Sequence, residues 1–189
     1  MKSLTMALVL SLATGGPALA APADPADARF EAMLRVIDVV PDRPALDRGW
    51  PDARARLLAA ARDERREDWT RMRATSLLSH YADPAVRAAL LELASSPRPE
   101  VRRTAIYTAA RAFGAPGDAE LVAAVEARLS DADGRVREHA VRALRWIDHA
   151  AAAALLDRLA AGSGRAELVP LARATQARRV ARVAPGLRR

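Results

Sequence analysis

The chain has 189 residues, 51% of them hydrophobic and 28% charged, which is a globular balance with length enough for one domain and a substantial core, and it excludes disorder as the overall state. It contains no cysteine, which excludes disulfides and lipid attachment through a thiol. The net charge of +7 is unevenly placed: residues 165–189 hold seven arginines against one acid, Glu167, and with that segment and Lys2 set aside the rest is balanced. Every basic residue after Lys2 is arginine, so a coding bias toward arginine and alanine explains part of the composition without any binding role.

Residues 1–20 read as a cleavable export signal: Lys2 is the positive start, residues 4–13 are an apolar run, and Ala18 and Ala20 give the small-x-small pattern of a cleavage site. The run is shorter than the roughly 20 apolar residues that span a bilayer. The expected mature protein is therefore periplasmic or secreted and carries no membrane segment. A linker at 21–26 leads to a capping helix over 27–40, with Phe30, Met33, Leu34, Ile37 and Val40 at helical spacing and Pro41 as its stop. A turn-rich connector with room for one short helical turn reaches residue 50.

From residue 51 to 183 the chain repeats at roughly 32 residues, a solenoid period. Alanine, leucine and arginine dominate, no stretch alternates with period two, and the reading is all-α. Each unit is a helix pair: 51–63 with 68–81, 84–95 with 99–113, 118–129 with 134–147, and a less regular 149–161 with 166–183. Asp83 before Pro84 is an N-cap followed by an N1 proline, and Asp118, Asp133 and Asp148 are further cap candidates. Residues 184–189 form a basic tail.

The second helices align on "TRMRATSLLSHY" from Thr70, "VRRTAIYTAARAF" from Val101 and "VREHAVRALRWI" from Val136, and "DPAVRAAL" from Asp83 carries the same residue types. These segments resemble the HEAT-repeat family, whose units read Asp-Pro-x-Val-Arg-x-x-Ala-x-x-Ala-Leu across the turn into a helix. The resemblance implies an α-solenoid of about three or four helix pairs, with second helices lining a concave side that binds a protein or nucleic acid. It is specific for architecture and nearly silent on activity, and no cofactor is expected. In the last unit Val169 stands where the pattern has arginine and Pro170 interrupts the helix start. Independently of the family, each pair carries an apolar stripe that only stacking can bury.

At 100 degrees per residue, Val136, Ala140, Ala143, Leu144 and Ile147 share one face, with Arg137 at its edge and Arg135, Glu138, Arg142 and Arg145 opposite. Arg137 aligns with Arg102 and, more weakly, with Arg71, and the resemblance implies that such an arginine pairs with an aspartate or a backbone carbonyl of an adjacent turn, Asp131 or Asp133 being the nearby partner of Arg137. The outer face is the candidate protein-binding surface: Arg103 and Tyr107 beside Glu100 on one second helix, and Arg135, Arg142 and Arg145 on the next, with Glu138 and Arg142 able to pair four residues apart. On the first unit it continues as Trp69, Met72, Ser76 and Ser79. Both charge signs and aromatics alternate there, which suits a protein or peptide better than a phosphate backbone.

Catalytic patterns are weak. His80, His139 and His149 are the only imidazoles, and none are paired at metal-ligand spacing. "SHYAD" puts Ser79, His80 and Asp83 close in sequence without the line of bonds that a triad needs. "RDERREDW", residues 62–69, reads as a solvated link between helices, and no glycine-rich phosphate loop is present. The expectation is an exported, non-enzymatic scaffold for a protein or peptide partner. A nucleic acid, anionic lipid or acidic glycan held by the arginine-rich C-terminal unit is the alternative, and a HEAT-like DNA glycosylase is the third.

Overall fold

The computed structural model describes residues 24–183 except Ile37; the expected signal, residues 21–23 of the linker and the 184–189 tail lie outside the described residues. The described residues form ten α-helices and no strand. The four expected pairs are α3 (Ala53–Arg62) with α4 (Asp68–Leu77), α5 (Pro84–Leu93) with α6 (Pro99–Phe113), α7 (Ala119–Arg128) with α8 (Gly134–Ala143), and α9 (Ala150–Ala160) with α10 (Val169–Val183). Single 3-10 turns prolong α4 through His80 and α8 through Trp146. Ahead of the pairs stand α1 (Pro25–Arg35) and α2 (Arg43–Gly49).

Local chemistry sets the helix starts. Asp83 accepts from the Val86 amide at 3.0 Å with Pro84 at N1, and Asp118 accepts from Leu121 at 2.8 Å. Asp133 accepts from Arg135 and Val136 at 2.9 and 3.0 Å, satisfying two amides that have no partner within α8. Asp148 does not cap α9. His149 does, through its Nδ1 and the Ala151 amide at 3.2 Å, because Asp148 is turned away to pair with Arg182. At the far end of α9, Gly162 takes φ +99° and donates to the Leu159 carbonyl at 3.1 Å, a left-handed conformation that L side chains rarely adopt.

The capping helix departs from the sequence reading. It begins at Pro25, capped by Asp24, and ends at Arg35 rather than Val40. Val36 is extended, and Val39 and Val40 are 62% and 68% exposed, so Val40 leaves the apolar stripe that still buries Phe30 and Leu34. The competing demand is α2: Asp42 caps it through the Ala45 amide at 2.8 Å, and the chain must turn back early enough to bury Leu46. A hydrogen bond from the Arg73 guanidinium to the Val39 carbonyl holds the extended crossing. Trp50 closes the cap, donating to the Ala26 carbonyl at 3.0 Å and meeting Phe30 edge-on at 5.4 Å. The Tyr81 hydroxyl donates to Asp47 at 2.7 Å; burial and that bond push the phenol's pKa up.

Helix α1 packs against α4 and α2 against α3, so the cap occupies the place of a preceding unit. Along the array α4, α6, α8 and α10 pack in one row and α3 with α5, and α7 with α9, in another. Neighbouring second helices meet more extensively than neighbouring first helices, as they must on the inner side of a curved stack. Between them runs one continuous core containing Leu57, Leu78, Leu90, Ile106, Leu121, Leu144 and Leu156, each removed from water and contributing about 1.5–3 kcal/mol. Gly114 marks the closest backbone approach: its carbonyl accepts from the Asp148 amide at 2.6 Å, and a Cβ there would overlap the carbonyl oxygens of Ala110 and Trp146.

Candidate functional site on the second helices

Most arginines are spent inside the array, and this decides which remain open. Arg71 is 2% exposed and donates through Nε to the Ala61 carbonyl at 3.1 Å. Arg102 donates Nη1 to the carbonyls of Ser96 and Pro97 at 2.9 and 3.1 Å, and clasps both oxygens of Asp131 through Nε and Nη2 at 2.9 and 2.7 Å. Arg137 does the same one unit on, with the carbonyls of Asp131 and Ala132 at 2.8 and 3.0 Å and the Glu167 carboxylate at 3.4 Å. Each of these two ties its own turn with one edge of the fork and the following unit with the other.

Arg137 thus meets Asp131 through the expected backbone carbonyl and not through a carboxylate. The Asp131 side chain serves Arg102, and Asp133 is a cap hydrogen-bonded to neither arginine side chain. The reason is prior engagement: the Asp133 carboxylate accepts from the Arg135 and Val136 amides and the Asp131 carboxylate is held by the Arg102 fork, so Arg137 takes the free carbonyls of that turn. Burial pushes the Asp131 carboxyl up, but the Arg102 fork and the Asp133 amide outweigh it and hold the group below the usual carboxylate range. The last unit follows the pattern despite Val169, because Arg173 takes over and donates to the Ala160 carbonyl at 3.1 Å.

Other polar links join units at separations near the repeat period. Arg54–Asp83 and Arg87–Asp118 are 29 and 31 residues apart, and Arg128 with the Ala94 carbonyl 34. The segment expected as a solvated link also takes part: Arg62 pairs with Glu92 and Arg66 with Glu31, both at 2.7 Å. From the arginine-rich C-terminal segment, Arg179 donates to the carbonyls of Leu144 and Ile147 at 2.8 and 2.5 Å, and Arg182 to that of Arg145 at 3.0 Å. These side chains bolt α10 onto the end of α8.

The face between α6 and α8 is different. Tyr107 lies at its centre, half-buried, accepting from Arg145 Nη2 at 2.8 Å and meeting the His139 ring edge-on at 6.0 Å. His139 Nδ1 lies 2.8 Å from the Arg135 carbonyl; a carbonyl only accepts, so Nδ1 carries the proton and Nε2 holds the lone pair in the neutral ring. Burial holds the imidazole pKa below its ordinary value, and the positive charges of Arg103 and Arg142 act in the same direction. Arg142 pairs with Glu138 at 3.0 Å. Arg145 stacks 4.7 Å from the Trp146 ring centre, with Arg182 at 5.8 Å from the same ring.

The candidate surface residues therefore divide. Arg103, Tyr107, Arg142 and Arg145 surround His139 and one another, whereas Arg135 is exposed at the start of α8. Arg145 is not open to solvent as the angular reading had it; it is half-buried, with Nε enclosed and its charge laid over Trp146. Arg103 is half-buried, its Nε enclosed without an acceptor, and among the described residues neither it, Arg111 nor Arg135 forms a side-chain ion pair. The face continues onto α4 with Trp69, 41% exposed, beside Met72 and Ser76. Sequence reasoning counted His139 only as an imidazole without metal-ligand spacing and passed over Trp146 and Arg182. The first two lie within the aligned segment from Val136, and the third was visible only as part of a basic tract.

Elsewhere the chemistry is occupied. A depression of about 380 Å³ beside the cap is lined by Arg43, Asp47, Arg54, Tyr81 and Asp83, but these already pair as Arg43–Asp47, Arg54–Asp83 and Tyr81–Asp47. In "SHYAD" the Ser79 hydroxyl donates to the Ser76 carbonyl at 2.8 Å, and Asp83 is engaged as cap and ion pair. Among the described residues no cluster of three or more His, Asp or Glu is placed to hold a metal ion, and no helix is long and apolar enough to cross a membrane.

A family model described as HEAT repeats matches residues 106–169, from the middle of α6 to the start of α10. Residues 106–169 carry HEAT repeats. The matched span includes Tyr107, His139, Arg142, Arg145 and Trp146, while Arg103, Arg182 and the α4 part of the face lie outside it. HEAT repeats form helical scaffolds, typically without enzymatic activity. No curated protein matches the chain.

Proposed function

We propose that this HEAT array is a non-enzymatic scaffold that holds a protein or peptide partner against the second helices, centred on α6 and α8. The observation that supports this most is the contrast in pairing. In an array whose arginines are largely consumed by turns and neighbouring units, Arg103, Tyr107, His139, Arg142 and Arg145 gather on one face with fewer partners than their chemistry allows. An aromatic ring, an imidazole and guanidiniums in partly dry surroundings are the residue types that anchor protein interfaces. In the same reading the chain is exported, because residues 1–20 have the charge, apolar run and small-x-small end of a signal, and the partner is met in the periplasm or outside the cell.

The reading is tested by placing a photo-crosslinking side chain at Arg142 and, separately, at Ala127 on the exposed side of α7. Irradiation of cells followed by mass spectrometry is expected to capture a defined protein from position 142 and not from 127. Equal capture from both positions, or capture only from 127, overturns the assignment of the face. Cell fractionation in the same experiment checks export: retention of the whole chain in the cytoplasm would overturn it.

A further inference from the structure

Resting on that scaffold reading, we infer that the α6–α8 face binds an acidic peptide segment, with carboxylates received by Arg103, Arg111 and Arg135 and a side chain of the segment laid against Tyr107. Charge complementarity carries the argument. Glu138 is already matched by Arg142 and Glu100 is the other acid of the face, which against Arg103, Arg111, Arg135 and Arg145 leaves an excess of guanidinium charge. Arg103 is the sharpest case. Arg66, Arg73, Arg137 and Arg145 also have an enclosed Nε but donate through their other nitrogens, whereas Arg103 makes no side-chain hydrogen bond or ion pair among the described residues, so its charge is less screened than that of a fully solvated arginine and is still unmatched for an incoming carboxylate.

Spacing along α6 fits an extended segment. Arg103, Tyr107 and Arg111 lie at successive four-residue steps, so the two cations are about 12 Å apart along the helix at 1.5 Å per residue. An extended peptide covers that distance in about four residues. An acidic, an apolar and an acidic residue at every second position of such a segment would meet cation, ring and cation in turn. The site is also pre-organised: the Arg145–Tyr107 bond, the Arg145 and Arg182 stacks on Trp146, and the His139–Arg135 contact hold the central rings before any partner arrives. A phosphate backbone fits less well, because Tyr107, a His139 held toward its neutral form and Glu138 interrupt the cationic track.

The experiment uses the full chain and two fluorescein-labelled peptides of equal length, one rich in Glu and Asp with interspersed Leu, the other its Gln and Asn counterpart. Anisotropy titrations are expected to show binding of the acidic peptide at least about tenfold tighter than of the amide peptide. Arg103→Met and Arg135→Glu should each weaken the acidic peptide by about tenfold, whereas Arg48→Glu, on the exposed end of α2, should leave it nearly unchanged. Should Arg103→Met fail to fold by circular dichroism, Arg103→Lys and the exposed Arg135→Glu carry the test.

Equal weakening by Arg48→Glu and Arg135→Glu would reduce the effect to net charge and overturn the inference. So would tighter binding of a DNA oligonucleotide or heparin through the same arginines. If the amide peptide binds as well as the acidic one, or neither binds while the crosslinker at position 142 still captures a protein, the acidic class falls and the scaffold reading stands. Failure of both peptides together with failure of capture removes both.

Discussion

Arg102 and Arg103 are consecutive residues of one helix with opposite employment. Arg102 points along the turn edge, where two carbonyls and both oxygens of Asp131 saturate its fork. Arg103, one hundred degrees further round, lies on the second-helix face with its Nε enclosed and no ion pair among the described residues. The turn edge is thus a closed polar lattice that fixes the stacking of units, and the face is an open one. A guanidinium count by itself says nothing of binding; the number left unsaturated after the repeat has taken its share does.

The contrast is broken or sharpened most strongly at Asp131. Its side chain is 5% exposed and serves Arg102, so Asp131→Ala leaves a poorly hydrated guanidinium without its counter-ion. A loss of about 3 kcal/mol is expected in urea unfolding. The same carboxylate is held ionised in the fold, with its pKa below the ordinary range. Its contribution is therefore present above the ordinary carboxyl value and lost as pH falls through the lowered one. Asp131→Asn should accordingly flatten the decline of stability with acid over that window, measured as thermal midpoint against pH.

Next comes Gly114→Ala, which forces a methyl group into the backbone contact between the end of α6 and the turn after α8. About 2 kcal/mol of destabilisation is expected, read from the denaturant midpoint. A smaller effect belongs to Arg179→Met, about 1 kcal/mol, since two carbonyls at the end of α8 lose a donor while the aliphatic stem is kept. That result would place a residue of the basic C-terminal tract on the closed side of the comparison. Smallest is Arg135→Glu, expected within about 0.5 kcal/mol of the parent because the side chain is exposed. If Arg103→Met proves more destabilising than Arg102→Met, the division between lattice and open face is wrong.

Much of the fold was legible because its signals are local and repeated. The core stripe that runs from Val136, Ala140 and Ala143 of α8 to Leu144 and Ile147 just after it is fully buried, and the four helix pairs fall where the periodicity put them. Asp83, Asp118 and Asp133 cap their helices as aspartates before a helix start do. The departures share a cause. Val40 left the apolar stripe because α2 needed its own cap and a buried Leu46, and Asp148 left its cap for Arg182, some thirty residues along the chain. In each case a neighbouring element out of local view outbid the nearby signal.

The face was legible only in outline. Angular placement identified Arg103, Tyr107, Arg142 and Arg145 as one side of two helices, but not that Tyr107 and Arg145 bond across units or that His139 and Trp146 pack between the arginines. Nor did composition separate Arg179 and Arg182, which hold α10 to α8, from arginines free to meet a partner.

By itself, then, the sequence determined helicity, repeat length, caps and the inward stripe, because each follows from residue spacing within a turn or two of helix. Only the tertiary structure decided which arginines are saturated, because a guanidinium fork reaches a partner about one repeat away, and the register of stacked units sets which carboxylate or carbonyl it meets.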